Sequence, residues 1–323
     1  MNKEMMVGVD IGGTTIKLGF ISQEGEILTK WEIPTNTAEA GHFIVEDIWN
    51  AVHSKLTQLS IPKENILGIG VGAPGFIEAG TGLVYEAVNI GWKNLGLARE
   101  LKERSGLPVY VQNDANIAAL GENWKGAGHQ ANNMIAVTLG TGVGGGVIAN
   151  GAILNGETGM AGEIGHIKVE PNGQKCNCGG YGCLETVSSA TGIVRQALIT
   201  IEANPDSALA KVMEKYGSVS SKDVIDLAER GDEPSKQIIS YSMDVLGRAI
   251  ANMATIINPS IILIGGGVSK AGDPLLQEVK KAFQKYAIPK LAEACEIRLA
   301  KLGNDAGIIG AGFLVLQNVN KLK

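Results

Sequence analysis

A pattern of strand, glycine turn and strand occurs twice in the chain, 128 residues apart. The residues DIGG at positions 10–13 correspond to TLGT at positions 138–141, and each copy continues to a second turn, near Gly25 and Gly151. Mixed strand-like and helical segments follow both copies. Because similarity at a fixed offset indicates a repeated structural unit, the sequence predicts two α/β domains of one topology.

Glycine-rich turns follow three of the strand-like runs. Glycines let backbone N–H groups approach phosphate oxygens, and threonine hydroxyls add further donors. Lys17 is suited to neutralising phosphate charge, and Asp10 to holding a magnesium ion, through water. Tight hairpin connections would explain any one turn, but three at strand ends favour a split nucleotide site. The candidate nucleotide contacts are Gly12, Gly13, Thr14, Thr15, Lys17, Gly140, Thr141, Gly142, Gly265, Gly266 and Gly267.

Two common nucleotide motifs are excluded. The chain has no GxxxxGK[ST], so it is not a P-loop protein. GxGxxG occurs at positions 70–75 and 140–145, but a dinucleotide site needs a helix after the turn. A hairpin-like stretch follows the first motif and a strand-like stretch follows the second.

The sequence VYVQND ends a strand-like run at Asn113 and Asp114, where a helical segment begins. Strand ends in α/β sheets face ligand-binding crevices. A carboxylate at this position can accept the proton of a hydroxyl that attacks a phosphate, and Asn113 can orient a polyol. The alternative is that Asp114 only caps the helix, and the dipeptide alone does not decide between the two.

Three of the four cysteines lie close together after a histidine. Cys176, Cys178 and Cys183 with His166 supply three thiolates and one imidazole, a set that tetrahedral zinc accepts. Disulfides or free thiols are the alternative, but the chain shows no export signal, and clustered cysteines in a reducing compartment more often bind metal. Glu163 and Glu185 flank this loop and predict a polar binding site beside the metal.

Composition excludes several classes of function. The 323 residues carry a net charge of −5, so no basic surface for nucleic acid is indicated. The chain contains no run of eighteen apolar residues, and its first residues lack the features of a signal peptide. We therefore expect a cytoplasmic protein without a nucleic-acid or membrane partner.

The motifs together resemble the ROK family of sugar kinases and repressors, from about residue 6 to residue 317. The pair formed by EIGH and CxCGxxGCxE is highly specific to that family. The segments YEAVNIGWKN, ENWKGAG and SATGIVR are most similar to the ATP-dependent glucokinases of Gram-positive bacteria. In chain order, the family motifs are DIGGTTIK, GAPG, NDANIAALGE, GTGVGGG, EIGH, CNCGGYGCLE and GGGVS.

The resemblance implies an actin-like ATPase (ribonuclease H-like) fold, with two similar α/β domains around a cleft. It implies ATP, Mg²⁺ and a structural Zn²⁺ held by His166, Cys176, Cys178 and Cys183. Asp114 would be the base that acts on the 6-hydroxyl of glucose. The residues implied in sugar binding are Gly75, Asn89, Asn113, Glu163, His166 and Glu185.

The predicted domains are 1–118 with 305–323, and 119–304, the larger one carrying the zinc loop. We expect a homo-oligomer, a dimer or a tetramer. Within the family, N-acetylmannosamine kinase, fructokinase and polyphosphate glucokinase are the alternatives. A sugar-responsive repressor is disfavoured because Asp10 leaves no room for a preceding DNA-binding domain, and an actin-like scaffold would not need the glutamate-flanked metal loop.

Overall fold

The computed structural model describes residues 4–321 as a mixed α/β structure with thirteen strands. Two sheets have five strands each and a third has three. The strands are β1 (Met5–Ile11), β2 (Thr15–Ser22), β3 (Ile27–Pro34), β4 (Ile66–Ala73), β5 (Phe76–Glu78), β6 (Leu83–Ala87), β7 (Trp92–Gly96), β8 (Val109–Asn113), β9 (Met134–Leu139), β10 (Val143–Ala149), β11 (Ala152–Ile153), β12 (Ile261–Gly265) and β13 (Glu296–Leu299).

Twelve α-helical segments lie within the described range, and the sequence periodicity predicts most of the longer ones. They are α1 (Ala38–Gly41), α2 (Ile44–Gln58), α3 (Leu97–Ser105), α4 (Asp114–Lys125), α5 (Glu185–Ser188), α6 (Ala190–Ala203), α7 (Ala208–Tyr216), α8 (Ser221–Glu229), α9 (Glu233–Ile257), α10 (Asp273–Tyr286), α11 (Pro289–Ala294) and α12 (Ala306–Lys321). None of the helices in residues 4–321 has both the length and the apolar character needed to cross a bilayer.

The two five-stranded sheets have the same topology. The first has the order β3-β2-β1-β4-β8, and the second has the order β11-β10-β9-β12-β13. In the first, β1, β2 and β3 are antiparallel, and β1, β4 and β8 are parallel. In the second, β9, β12 and β13 are parallel and β11 is antiparallel to β10. The predicted repeat is therefore confirmed, including the turns at Gly25 and Gly151, which both have positive φ.

The described residues divide into two compact units. Unit 1 contains residues 4–130, 146–162 and 302–321, and unit 2 contains residues 131–145 and 163–301. These limits differ from the predicted boundaries at 118/119 and 304/305. Helix α4 belongs to unit 1 because it packs along α12 over much of its length.

Helix α12 packs closely on the first sheet, and glycines in the strands make room for it. A Cβ atom at Gly8 would collide with the backbone of Ile308, and one at Gly70 would collide with the backbone of Ala311. On the same unit, α2 buries Ile44, Ile48, Val52 and Leu56 at helical spacing, whereas Leu59 lies beyond the helix and is exposed. Because these glycines have no side chain, α12 can pack closely on the sheet. This close packing holds in place the strands whose ends carry the candidate base.

Candidate functional site

The carboxyl ends of three parallel strands in unit 1 bring the first group of predicted residues together. The register pairs Asp10 on β1 with Gly72 on β4, and Gly72 with Gln112 on β8. Asn113 ends β8 and Asp114 begins α4. Parallel strands end at one edge of a sheet, where α/β proteins bind ligands. The prediction that Asp114 stands at such an edge is confirmed.

Asn113, rather than Asp114, caps helix α4. Its Oδ1 accepts hydrogen bonds from the backbone N–H groups of Ala115 at 2.9 Å and Asn116 at 3.3 Å. Its Nδ2 donates to the carbonyl oxygen of Gly75 at 3.1 Å. Asp114 is the first residue inside the helix, so the alternative in which it serves only as the cap is wrong.

The Asp114 carboxyl is partly buried, and this burial raises its pKa above the usual 3.8. Hydrogen bonds from the backbone and from Asn113 lower the pKa but do not cancel the effect of burial. Oδ1 accepts from the N–H of Ala115 at 2.8 Å. A carboxylate that holds a proton more tightly than an exposed one is better matched to accepting a proton from a hydroxyl.

Asp10 is a second, partly buried carboxyl on the same sheet edge. Burial raises its pKa to about 6, the charge of Lys17 lowers it, and the charge of Asp114 raises it. Lys17 lies opposite Asp10 in the register of β1 and β2. The Asp10 carboxylate is suited to a hard metal ion, and the Lys17 ammonium beside it is suited to phosphate.

The first glycine turn, residues 12–15, joins β1 to β2. The N–H of Gly12 donates to the carbonyl oxygen of Thr15 at 3.1 Å, and the Thr35 hydroxyl donates to the carbonyl oxygen of Gly12 at 2.7 Å. Gly13 and Thr14 are exposed, and a Cβ on Gly13 would meet no atom within 4 Å. Hydrogen bonds at Gly12 therefore hold the base of the turn, and its tip at Gly13 and Thr14 is open to solvent.

Gly75 and Asn89 lie on the loops around the three-stranded sheet β5-β6-β7. Gly75 has φ +92°, and a Cβ there would collide with the carbonyl oxygen of Glu86. Asn89 is exposed, in the turn between β6 and β7. The structure thus brings Gly75 to Asn113 through a hydrogen bond and places Asn89 in the turn between β6 and β7.

Gln112 is a residue of this site that the sequence analysis did not single out. It is 2% exposed. Its Nε2 donates to Asn155 Oδ1 at 2.7 Å, and its Oε1 accepts from the N–H of Asn113 at 2.9 Å and from Asn116 Nδ2 at 3.2 Å. The sequence signal that could have identified Gln112 is a polar residue at an inward-facing position near the end of strand β8. Gln112 holds the backbone on which Asn113 and Asp114 stand.

Two further glycine turns meet at the corresponding edge of the sheet in unit 2. Gly140–Gly142 follow β9, and Gly266 and Gly267 follow β12. Gly266 has φ +88°, and a Cβ there would collide with the backbone of Leu139. Because Gly265 pairs with Thr138, both turns start at the same level of the sheet. The GxGxxG at 140–145 is followed by strand β10, so the strand predicted after this motif is confirmed.

The three cysteines and the histidine converge in unit 2. One ligand atom from each of His166, Cys176, Cys178 and Cys183 lies within 4.8 Å of the other three. Cys176 Sγ is 3.6 Å from His166 Nδ1, and Cys178 Sγ is 3.6 Å from Cys183 Sγ. Tetrahedral zinc with bonds of about 2.3 Å separates sulfur ligands by about 3.8 Å. The donor set and its spacing therefore fit zinc.

The flanking glutamates lie beside this cluster. Glu163 Oε2 is 3.9 Å from His166 Nε2, the ring nitrogen that faces away from the cysteines. Glu185 Oε1 accepts from Cys176 Sγ at 3.3 Å, and its Oε2 accepts from the N–H of Val143 at 3.3 Å. The three polar side chains predicted to bind sugar in this unit thus form one group around the cysteine loop.

Comparison with known proteins gives matches over the whole length of the chain. The chain is 52% identical to a glucokinase of Halalkalibacterium halodurans, covering 100% of this chain and 98% of that protein. It is 38% identical to a glucokinase of Thermotoga maritima, with 99% of each covered. A ROK family glucokinase from Streptomyces griseus, solved with glucose and AMPPNP, has a TM-score of 0.79 at 34% identity, covering 97% of this chain and 99% of that one. Residues 6–318 match the ROK family description, and the chain belongs to the ROK family.

Proposed function

We propose that this protein is a glucokinase that transfers the γ-phosphate of ATP to the 6-hydroxyl of D-glucose. The observation that carries the proposal is the partly buried Asp114 carboxyl with a raised pKa, next to Asn113 at a strand end. Whole-length similarity to glucokinases supports the choice of sugar, and similarity to a glucokinase solved with glucose and AMPPNP supports ATP as the donor. The fold is that of the actin-like ATPases.

Asp114 is the general base of the proposed reaction. The bond between glucose O6 and the γ-phosphorus forms, the bond between that phosphorus and the β–γ bridging oxygen breaks, and the O6 proton passes to Asp114. Such a base contributes on the order of 100- to 10,000-fold to the rate. Alignment of O6 with the phosphorus and neutralisation of phosphate charge supply most of the remainder.

Asn113, Gly75 and Asn89 bind the sugar in this proposal. Because Asn113 Oδ1 already caps α4 and one hydrogen of Nδ2 is donated to Gly75, the second Nδ2 hydrogen is the group that Asn113 offers to glucose. Glu163 and Glu185 accept hydrogen bonds from the other hydroxyls, and His166 donates one. Carboxylates recognise hydroxyl donors, and a site that satisfies each hydroxyl rejects analogues that lack one.

Backbone N–H groups of the glycine turns bind the ATP phosphates in this proposal. The open tips at Gly13 and Gly140 let phosphate oxygens approach the main chain. Thr14, Thr15 and Thr141 add hydroxyl donors, and Lys17 adds a positive charge. Asp10 would hold Mg²⁺, through water, and the ion when bound neutralises charge on the β- and γ-phosphates. Gly265–Gly267 complete the nucleotide site.

His166, Cys176, Cys178 and Cys183 would hold zinc as a structural ion. Four protein ligands leave no open position for water, so zinc when bound supplies stability rather than chemistry. Ligation through Nδ1 would fix the tautomer of His166, with the proton on Nε2, the nitrogen nearer Glu163. The ring would then donate a hydrogen bond to the sugar or to Glu163.

A coupled assay tests substrate and donor together. The purified protein would be assayed with glucose, mannose, N-acetylmannosamine and fructose, each with ATP and with polyphosphate. Glucose with ATP should give the highest kcat/KM. A higher value for N-acetylmannosamine or fructose, or for polyphosphate, would replace this proposal with the corresponding ROK kinase. A homo-oligomer, dimer or tetramer, is also proposed, and light scattering on the same sample measures it.

A further inference from the structure

A short segment connects the cysteine loop with the glycine turn of β9 and β10. This connecting segment, Glu185–Thr191, begins two residues after Cys183 and includes α5 and the first two residues of α6. The Ser189 hydroxyl donates to the carbonyl oxygen of Glu185 at 2.6 Å and accepts from the N–H of Gly192 at 3.0 Å. These two hydrogen bonds make the segment one compact turn.

The start of the connecting segment forms hydrogen bonds with the cysteine loop. The N–H and the hydroxyl of Thr186 both donate to the carbonyl oxygen of Cys183, at 2.9 Å and 2.7 Å. Leu184 N–H donates to the carbonyl oxygen of Ile167, the residue after His166, at 2.8 Å. Both ends of the zinc-ligand sequence are therefore hydrogen-bonded at the start of the segment.

The end of the connecting segment forms hydrogen bonds with carbonyl groups of the glycine turn. Ala190 N–H donates to the carbonyl oxygen of Gly140 at 2.9 Å, and the Thr191 hydroxyl donates to the carbonyl oxygen of Thr141 at 2.8 Å. Glu185 Oε2 accepts from Val143 N–H, and a Cβ on Gly142 would collide with this carboxylate. The segment therefore contacts the turn at each residue from Gly140 to Val143.

These contacts determine where the turn's donors point. In a planar trans peptide the carbonyl and the following N–H point in opposite directions. Holding the carbonyls of Gly140 and Thr141 against the segment therefore directs the N–H groups of Thr141 and Gly142 away from it. Those N–H groups are among the donors that the proposed function assigns to ATP phosphate.

We propose that the connecting segment couples the zinc loop to the ATP site, so that zinc binding raises the affinity for ATP, and that Thr191 is a positioning residue for the phosphate turn. The proposal rests on the function assigned above to Gly140–Gly142. Zinc restricts the loop that carries Cys183, the segment passes that restriction to the carbonyls of the turn, and less ordering remains to be done when ATP binds.

Calorimetric titration with the magnesium complex of AMPPNP tests the Thr191 role in zinc-loaded protein. Thr191→Val keeps the side-chain shape but removes the hydroxyl. That hydroxyl hydrogen-bonds to the Thr141 carbonyl oxygen and also lies 3.0 Å from the Ser189 hydroxyl. The substitution should weaken AMPPNP binding about 3- to 10-fold and leave glucose affinity within about twofold. Thr191→Ser should restore wild-type affinity. Unchanged AMPPNP affinity in Thr191→Val would overturn the assignment, and equal losses for glucose and AMPPNP would indicate general disruption.

Removing zinc from wild type and from Thr191→Val tests the coupling. Zinc content is measured by atomic absorption, and folding is checked by circular dichroism. If both changes act through the connecting segment, their effects on AMPPNP affinity are less than additive. Strict additivity, or zinc removal without effect on AMPPNP binding, would contradict the coupling. If zinc-free protein unfolds, the Thr191 variants still decide the positioning role. Wild type that fails to bind AMPPNP would instead refute the ATP site itself.

Discussion

The side-chain amide of Asn113 donates from Nδ2 to the carbonyl oxygen of Gly75 at 3.1 Å, while its Oδ1 caps helix α4. One side chain therefore joins the loop after β4 to the start of the helix that carries Asp114. Gln112 fixes the same place from the other side by accepting the N–H of Asn113. Asp114, the candidate base, thus follows Asn113, whose backbone and side chain are both hydrogen-bonded.

Replacement of Asn113 by alanine should impair both stability and sugar binding. Loss of the cap costs about 1 kcal/mol, and loss of the Nδ2 donor should raise KM for glucose at least tenfold. Ser207→Ala is a matched control, because Ser207 caps α7 in the other unit by accepting the N–H of Ala210. It should lower Tm to a similar degree and leave KM unchanged. An equal change of KM in the two variants would contradict a binding role for Asn113.

Replacement of Gly75 by alanine should be more damaging than its positive φ explains. A non-glycine residue in this region costs roughly 1–2 kcal/mol, and the collision with Glu86 adds to that cost. Gly231 is the control, since its φ is +97° but a Cβ there meets nothing within 4 Å. Gly75→Ala should lower Tm more than Gly231→Ala, and it alone should reduce kcat/KM for glucose. Equal Tm shifts would show that the collision is relieved at little cost.

Much of the fold follows from local patterns in the sequence. The repeat at positions 10–13 and 138–141 predicts two sheets with equivalent turns, and the buried positions of α2 follow its helical spacing. Helix α7 was not predicted, because Leu209 is the only one of its nine residues that is buried. Its ends depend on Ser207 and on Gly217 in the left-handed region. Short helices with so little buried surface carry a weak periodic signal.

The candidate site was predictable in its residue types but not in its connections. The spacing of the cysteines indicated a shared metal site, and the structure brings the four side chains together. No local pattern shows that Gln112 reaches Asn155, 43 residues away, or that Thr191 reaches Thr141, 50 residues away. Such contacts depend on how separate elements pack against one another. The periodicity of a single sequence does not reveal that packing.

Loss of a zinc ligand should reduce metal content and stability together. Cys178 is exposed, so its own packing contributes little, and Cys178→Ser should lower Tm mainly through weaker zinc binding. Cys295→Ser is the control, since this buried cysteine lies outside the cluster and should leave about one zinc per chain. Zinc content by atomic absorption and Tm by calorimetry measure both effects. Full zinc content in Cys178→Ser, or metal-free protein with unchanged Tm and glucose affinity, would rule out the structural role.

Replacement of Asp114 by asparagine should abolish turnover and preserve binding. The amide keeps the shape of the side chain but cannot accept the O6 proton, so kcat should fall at least 100-fold with glucose affinity within a few-fold. In wild type the base must be ionised. Because its pKa is raised above 3.8, kcat/KM should decline on acidification from a higher pH than an exposed aspartate would give. A kcat within tenfold of wild type in Asp114→Asn would exclude Asp114 as the base.

Replacement of Asp10 by asparagine should stabilise the protein in a pH-dependent way. The folded-state pKa of about 6 exceeds the unfolded value of 3.8, so the folded protein binds the proton more tightly. Wild type therefore loses stability as pH rises from about 4 to 6, by up to about 3 kcal/mol for two pKa units, and the loss is complete above that range. Without magnesium and nucleotide, Asp10→Asn should raise Tm by several degrees at pH 8 and by little at pH 4.5. A Tm difference that is independent of pH would contradict the raised pKa of Asp10. In the same variant, Mg²⁺ with AMPPNP should stabilise less than in wild type, because the proposed metal ligand has lost its charge.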